Sequence, residues 1–466
     1  MAGGAIRVTG SNNRDWVIIG VPMADGGMGT GSEAGEVEFN PPPPGYGMPF
    51  KITAPAGYGQ AGAHFGAVVL TGMINFDFDV DVVVGAPDFD TGGYVDRGRV
   101  FVFFGPWNPG ANPPYSGFVV LDVDPSDPTG KARFGASIAL GHLDSNQNQQ
   151  DIVVGAPAGW VTYPSPAPKA EAGWVEIFLN VNTSPLTRYR DQRVQQDDAY
   201  LAEYNHYGSS VAIGSFKNNS YVTNMGDIAV GAPDTPVSGM VQAHFGHPDP
   251  GSGLPVWDSS PGNFQDVTGY SLASSSRFGT SLASDAYPYY FGPYYSRLAV
   301  GAPGALDAAG NPTGPNGSIH IYQGSATGLA GFVNPTDGIL HATTGPPNYD
   351  TPHNLFGYSL AWSDNQGAGA SYLLVGAPGA TTGVIGGFEA GRVFHYAAAP
   401  GTVPATWPVD SFLDPTPNAS ERFGWAVACS NRGALTSLDD IIIGAPRSTI
   451  SMSLFVDAGE VYVWNY

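Results

Sequence analysis

Three hydrophobic patterns recur along this chain of 466 residues. The first is a short run with no polar position, as in Val82-Val83-Val84, Ile152-Val153-Val154, Leu373-Leu374-Val375 and Ile441-Ile442-Ile443. A strand with one wet face alternates apolar and polar residues, so these runs predict strands covered on both faces. Each leads into Gly-Ala-Pro (Gly-Val-Pro in the first case), ending at Pro22, Pro87, Pro157, Pro233, Pro303, Pro378 and Pro446. Gly and Ala are small where backbones must crowd, and proline cannot donate to a ladder and so stops the strand.

The second pattern alternates with period two, opens on Gly and ends aromatic. It reads Gly98-Arg-Val-Phe-Val-Phe103, Gly173-Trp-Val-Glu-Ile-Phe178, Gly317-Ser-Ile-His-Ile-Tyr322 and Gly459-Glu-Val-Tyr-Val-Trp464, among seven instances. The third follows an aromatic-Gly pair: Phe65-Gly66, Phe134-Gly135, Tyr207-Gly208, Phe278-Gly279, Phe356-Gly357 and Phe423-Gly424. A fainter fourth strand, such as Gly117-Phe-Val-Val-Leu121, precedes the next pair.

The glycines of the Gly-Ala-Pro element, from Gly20 to Gly444, are spaced by 65 to 76 residues. A period of that regularity outranks local signals. Four short strands per period, seven times, predict an all-β, seven-bladed β-propeller occupying 1–466 as one body. The blades fall roughly at 1–60, 61–130, 131–203, 204–274, 275–352, 353–419 and 420–466. The first repeat starts near Ile6-Arg-Val-Thr9 without an aromatic-Gly opener, and the last stops after its third strand. The last blade therefore lacks an evident fourth strand. Either it is three-stranded or clasped by the N-terminus, or its edge near Val461–Trp464 accepts a strand from a partner.

This grammar resembles the FG-GAP repeat family, best known from the propeller heads of integrin α-subunits, over essentially the whole chain. The resemblance implies an extracellular ligand-binding or adhesion module. It also implies calcium in the loop between the first two strands of a blade, where the family reads Asp-x-Asp/Asn-x-Asp-Gly-x-x-Asp. Blade two offers Asn75, Asp77, Asp79 and Asp81, with Met73 at the first position and no Gly at the turn. Blade three offers Asp144, Asn146, Asn148 and Asp151, with His142 first and one extra residue. Calcium takes six to eight oxygens, so one or two Ca2+ sites are the cofactor expectation. Against it stands the recurrence of Asp81, Asp151, Asp227 and Asp440 before the second strand even where no other ligand exists, which points to a structural turn residue.

Other features narrow the function. Charged residues are 12% and the net charge is −22, with no Lys/Arg cluster, which excludes a nucleic-acid partner. No apolar run approaches the roughly 18 residues of a membrane span, and the N-terminus lacks a secretory-signal layout. The single cysteine, Cys429, excludes internal disulfides. The serines two or three residues after the aromatic-Gly pairs, Ser137, Ser210, Ser281 and Ser359, repeat at one structural position, as packing residues do and nucleophiles do not. No phosphate loop or paired-histidine metal motif occurs. The loop with Tyr287, Tyr289, Tyr290, Phe291, Tyr294 and Tyr295 is too aromatic to bury unaided and reads either as a contact surface or as an ordered loop packed on itself.

The expectation is thus a non-catalytic recognition or adhesion propeller binding protein or glycan through its loops, displayed extracellularly, on a cell surface or on a virion. The alternative is a structural part of a virion or surface filament assembled through the last blade. An enzyme with a loop-built site is the third reading.

Overall fold

The apolar runs become the second strands of seven antiparallel sheets, the blades of an all-β propeller, in the computed structural model of the chain. It describes residues 3–6, 16–25, 32–41, 48–123, 130–144, 146, 148–162, 168–181, 190–197, 199–217, 225–236, 238–269, 272, 275–285, 295–305, 317–331, 339–340, 354–363, 371–381, 389–398, 410–414, 420–430, 440–447 and 459–464. No helix occurs among them, and so none long and apolar enough to cross a membrane.

Blade two shows the plan: Val68–Gly72, Asp81–Ala86, Arg99–Phe104 and Gly117–Asp122 pair in chain order. Blade three repeats it with Ser137–Gly141, Asp151–Ala156, Trp174–Phe178 and Arg190–Gln195. In blade four a two-stranded hairpin, His247–Pro248 with Pro255–Val256, stands between the third and fourth strands. In blade five two short strands, Ala330–Gly331 and Ile339–Leu340, share the fourth position on Ser318–Gln323. Blade seven has three strands among the described residues, Ala426–Ser430, Asp440–Ala445 and Glu460–Trp464. The first strand of blade one is Gly3–Ile6, earlier than the Ile6–Thr9 start read from the sequence, with Ile6 opposite Trp16. Residues 7–15 lie outside the described set.

The all-apolar runs are buried on both faces because consecutive residues serve different neighbours. Val82 and Val84 pack with Ile18, Val37 and Phe39 of blade one, whereas Val83 packs with Ile152 and Val154 of blade three. Leu373 and Val375 likewise face blade five, and Leu374 faces blade seven. The second strand of blade one differs, since Val17 and Ile19 are only half-buried.

The chain divides into two compact units, one of Met1–Ile213, Asn224–Gly226 and Gly246–Asn263, the other of Gly214–Thr223, Asp227–Phe245 and Phe264–Tyr466. Within each, one seam joins neighbouring blades. The Gly of the Gly-Ala-Pro element and the Gly opening the third strand both abut the backbone of the next blade's aromatic-Gly pair. A Cβ on Gly85 would lie 2.3 Å from the Gly135 carbonyl oxygen, and one on Gly98 2.2 Å from that of Phe134. Gly35, Gly173, Gly317 and Gly391 form the same parallel bridges to Phe65, Tyr207, Phe356 and Phe423. The opener's own ring then packs edge-on against the aromatics of its blade's third strand, Phe65 on Phe101 and Phe103, Phe356 on Phe394 and Tyr396.

Candidate recognition site

The repeated serines belong to the seam. Ser137 Oγ donates to the Gly208 carbonyl at 2.7 Å, Ser281 to that of Gly357 at 2.6 Å and Ser359 to that of Gly424 at 2.8 Å. A hydroxyl committed in this way to a backbone oxygen has no base to activate it. Ser137→Ala is expected to cost about 1–2 kcal/mol by leaving a carbonyl short of a donor, read as a lowered denaturation midpoint.

The aspartate at the start of the second strand in blades two, three and four is a clamp at the opposite end of the blade. Asp81 Oδ2 accepts the amides of Ile74 and Asn75 at 2.8 and 3.2 Å, and Oδ1 accepts that of Gly105 at 3.0 Å. Asp151 accepts the amides of Leu143 and Asn180 at 2.8 and 3.2 Å, and Asp227 those of Phe216 and Lys217, both at 2.7 Å. In blades two and three one carboxylate thereby closes the loop between strands one and two and anchors the exit of strand three.

The sequence-derived metal residues come together in their loops as follows. Asp77 closes its own turn, accepting from Asn75 Nδ2 at 2.7 Å and the Asp79 amide at 2.9 Å. Asn75 Oδ1 is buried without a partner. In blade three, Asp144 accepts the Asn146 amide at 2.7 Å and Asn180 Nδ2 at 3.0 Å, and the Asn148 amide donates to Asn146 Oδ1 at 3.3 Å. Among the described residues no three of His, Cys, Asp and Glu converge on a point an ion could occupy. In both loops the last aspartate accepts backbone amides, and Asn75, Asp77, Asp79, Asp144, Asn146 and Asn148 are the side chains that would supply further oxygens to calcium.

Burial pushes the Asp81 carboxyl up to about 6, against the pull of its amide bonds, and the Asp151 carboxyl up to about 7, with Asp144 adding to the rise. A folded-state value above that of the unfolded chain means the native state holds the proton more tightly. Stability therefore falls as pH rises from about 4 towards 7, by at most about 1.4 kcal/mol per pH unit for each group. Melting at pH 5.5 should exceed that at pH 8, and Asp151→Asn should flatten the difference.

Of the aromatic loop, Tyr287, Tyr289, Tyr290, Phe291 and Tyr294 lie outside the described residues; Tyr295 is half-buried, its carbonyl accepting from Gln323 Nε2 at 2.9 Å. The partner edge at Val461–Trp464 belongs to strand Glu460–Trp464, which pairs with Asp440–Ala445, and Val463 on it is exposed.

Two features were not anticipated from sequence. Trp160, Tyr200 and Tyr204 are 43%, 45% and 55% exposed, on loops at the Gly-Ala-Pro end of blade three and its exit. The backbones of the two tyrosines are held: fully buried Asn205 donates to Gln196 Oε1 and the Tyr200 carbonyl, both at 2.7 Å, and the Tyr204 amide donates to the Ala170 carbonyl at 2.9 Å. Secondly, the residue before each aromatic-Gly pair is left-handed, from His64 (φ 51°) and Arg133 (φ 53°) to Arg422 (φ 60°). Five of the six are His or Arg, and four of these meet acids at the same end. Asp88 meets His64 Nδ1 at 2.7 Å and Arg133 Nε at 2.9 Å, Glu171 meets His206 Nε2 at 3.2 Å, and Asp234 meets Arg277 Nε at 3.2 Å. The signal was present, a His or Arg before five of the six pairs.

No family model matches the chain. It is similar to human phosphatidylinositol-glycan-specific phospholipase D, 24% identical over 86% of this chain and 54% of that protein. It is also similar to integrin alpha-PS3 of Drosophila melanogaster, 28% identical over 40% of this chain and 15% of that protein. The chain thus spans about half the length of the first relative and a small part of the second, and what it shares with them is carried on a β-propeller.

Proposed function

We propose that the chain is a non-catalytic, FG-GAP-type recognition propeller that binds protein or glycan ligands through loops at the Gly-Ala-Pro end of its blades, displayed outside the cytoplasm or on a particle surface. The observation that carries this reading is the division of labour along each repeat. The recurrent serines, glycines and aspartates are consumed by seams and clamps, while exposed aromatics stand on rigid, variable loops. Large rings with little rotamer entropy to lose suit ligand contact. Similarity to an integrin alpha supports adhesion; similarity to a phospholipase D does not by itself supply a catalytic group.

Screening against immobilised glycans and surface proteins should yield a ligand whose affinity drops tenfold or more in Trp160→Ala and Tyr204→Ala with melting unchanged. Turnover of a glycan or ester, abolished by one loop substitution, would overturn the reading. We further propose that the blade-two and blade-three loops hold their shape through carboxylate–amide clamps. Chelator and millimolar calcium should then leave the melting temperature the same, and a calcium-dependent rise would refute the clamp reading.

A second reading, assembly through the edge of blade seven, is favoured by strand Glu460–Trp464 pairing on one side only among the described residues. Amide exchange at 461–464 should then be fast in dilute monomer and protected in the assembly.

A further inference from the structure

The chain departs from its own repeat at two positions that meet beside blade three. The third residue before an aromatic-Gly pair sits in a left-handed turn at Gly62 (φ 74°), Lys131 (φ 53°), Tyr204 (φ 62°) and Ser420 (φ 66°). The first three donate their amides to the carbonyls of Ser32, Val95 and Ala170, at 2.7, 3.0 and 2.9 Å. The turn therefore imposes this backbone whichever residue occupies it. It is cheap for glycine and costly for a bulky side chain, yet here it carries an exposed tyrosine. Trp160 is the second departure. It stands third after the proline of Gly-Ala-Pro, where blades one and two have Asp25 and Asp90.

Ala170 joins the two positions. Val161 and Lys169 form an antiparallel bridge that sets Trp160 opposite Ala170, and the Ala170 carbonyl holds the Tyr204 amide. Two such backbone steps put the ring-bearing segments roughly 10 Å apart, with only a methyl group between them. Tyr200 is tied to the same segment through Asn205. Two polar atoms in these segments have no hydrogen-bond partner although their residues are fully buried, Asn205 Oδ1 and Trp174 Nε1. The indole nitrogen lies against Gly159, where an added Cβ would be 2.2 Å from it. Buried donors and acceptors are ordinarily paired, so an open one of each beside exposed rings points to a polar ligand.

We propose that Trp160, Tyr200 and Tyr204 form a carbohydrate platform whose ligand is an uncharged pyranose glycan. This rests on the recognition reading above and narrows it from protein or glycan to glycan. A pyranose offers a face of C–H bonds to the electron-rich face of an aromatic ring. Its rim of hydroxyls both donates and accepts, and the segments supply both kinds of partner: Lys169 and Thr162, Glu203 and Asp197. Two carboxylates against one ammonium give a sulfated or acidic sugar no excess of positive charge to meet. A protein partner would instead need a wider apolar centre. No Leu, Ile, Val or Met is exposed in 160–162, 168–171 or 199–206, and half-buried Leu201 packs on the core.

Calorimetric titration and saturation-transfer NMR of the intact chain with cellobiose, chitobiose, lactose and mannobiose test this. At least one disaccharide should bind saturably, with affinity about tenfold or more weaker in Trp160→Ala and in Tyr204→Gly. Tyr204→Gly removes the ring and installs the residue that the same turn has at Gly62, so it should melt at or above the wild-type temperature. Lost binding in that variant would then not be lost folding. Phe76→Ser, at a 60% exposed position in the clamp-end loop of blade two, should bind as wild type does. Saccharide binding that is equal in all three variants would overturn the platform. If no disaccharide binds while a surface protein binds through Trp160 and Tyr204, the glycan assignment is overturned and the recognition reading stands. If neither saccharide nor protein binds, both fall.

Discussion

Gly155→Ala should lower stability by about 2–5 kcal/mol, although it adds one methyl group in the middle of a strand. That methyl would sit 2.1 Å from the Gly208 carbonyl oxygen and 2.2 Å from Ser137 Oγ. Neither neighbour can yield cheaply. The Gly208 carbonyl accepts from Ser137 Oγ, and Gly155 itself accepts the Gly135 amide at 3.0 Å. Overpacking a tight core contact costs about 1–3 kcal/mol and a displaced buried hydrogen bond about 1–2 more. Gly253→Ala is the control, since Gly253 has φ +72° and nothing within 4 Å of its added Cβ, leaving only a backbone cost of about 1 kcal/mol. Denaturant midpoints at equal slope would measure both. If Gly155→Ala matched the control, the seam would not be the rigid joint described above.

Asp285→Ala should cost a further class of energy, about 3–5 kcal/mol, by stranding a buried cation. Blade five has Arg297 where blades two, three and four have the clamp aspartate. Arg297 is 1% exposed, its Nε donates to Asp285 Oδ2 at 2.6 Å and its amide to Asp285 Oδ1. Its guanidinium also reaches Ser371 Oγ and lies 4.5 Å from the Trp362 ring centre. The carboxylate has thus moved from the strand to the loop before it, and still accepts a backbone amide there. The double variant Asp285→Asn/Arg297→Met keeps an acceptor for that amide and buries no charge, so it should be more stable than Asp285→Ala alone. A double variant no better than the single would show that the ion pair does not set the cost.

Much of the architecture was legible in the chain because each signal was repeated and local. The unbroken Val-Val-Val run implied cover on both faces, and the structure assigns Val82 and Val84 to one neighbour and Val83 to the other. The small residues of Gly-Ala-Pro implied crowding, but not against what. The partner, a Phe-Gly pair of the next blade more than 40 residues on, is a long-range fact. The candidate site was far less legible. Asp81 and Asp151 look like ion ligands in a row of letters, and only coordinates show their oxygens facing amides. Trp160, Tyr200 and Tyr204 are unremarkable in sequence, and burial alone separates them from core aromatics such as Trp174 and Tyr207.

The chain by itself determined the strand grammar, its sevenfold repetition and the acidic charge balance, because periodicity and composition are properties of neighbours along the polymer. The tertiary structure decided which glycine meets which carbonyl and where the clamp carboxylates are spent. Those depend on residues brought together across blades, which no local pattern encodes.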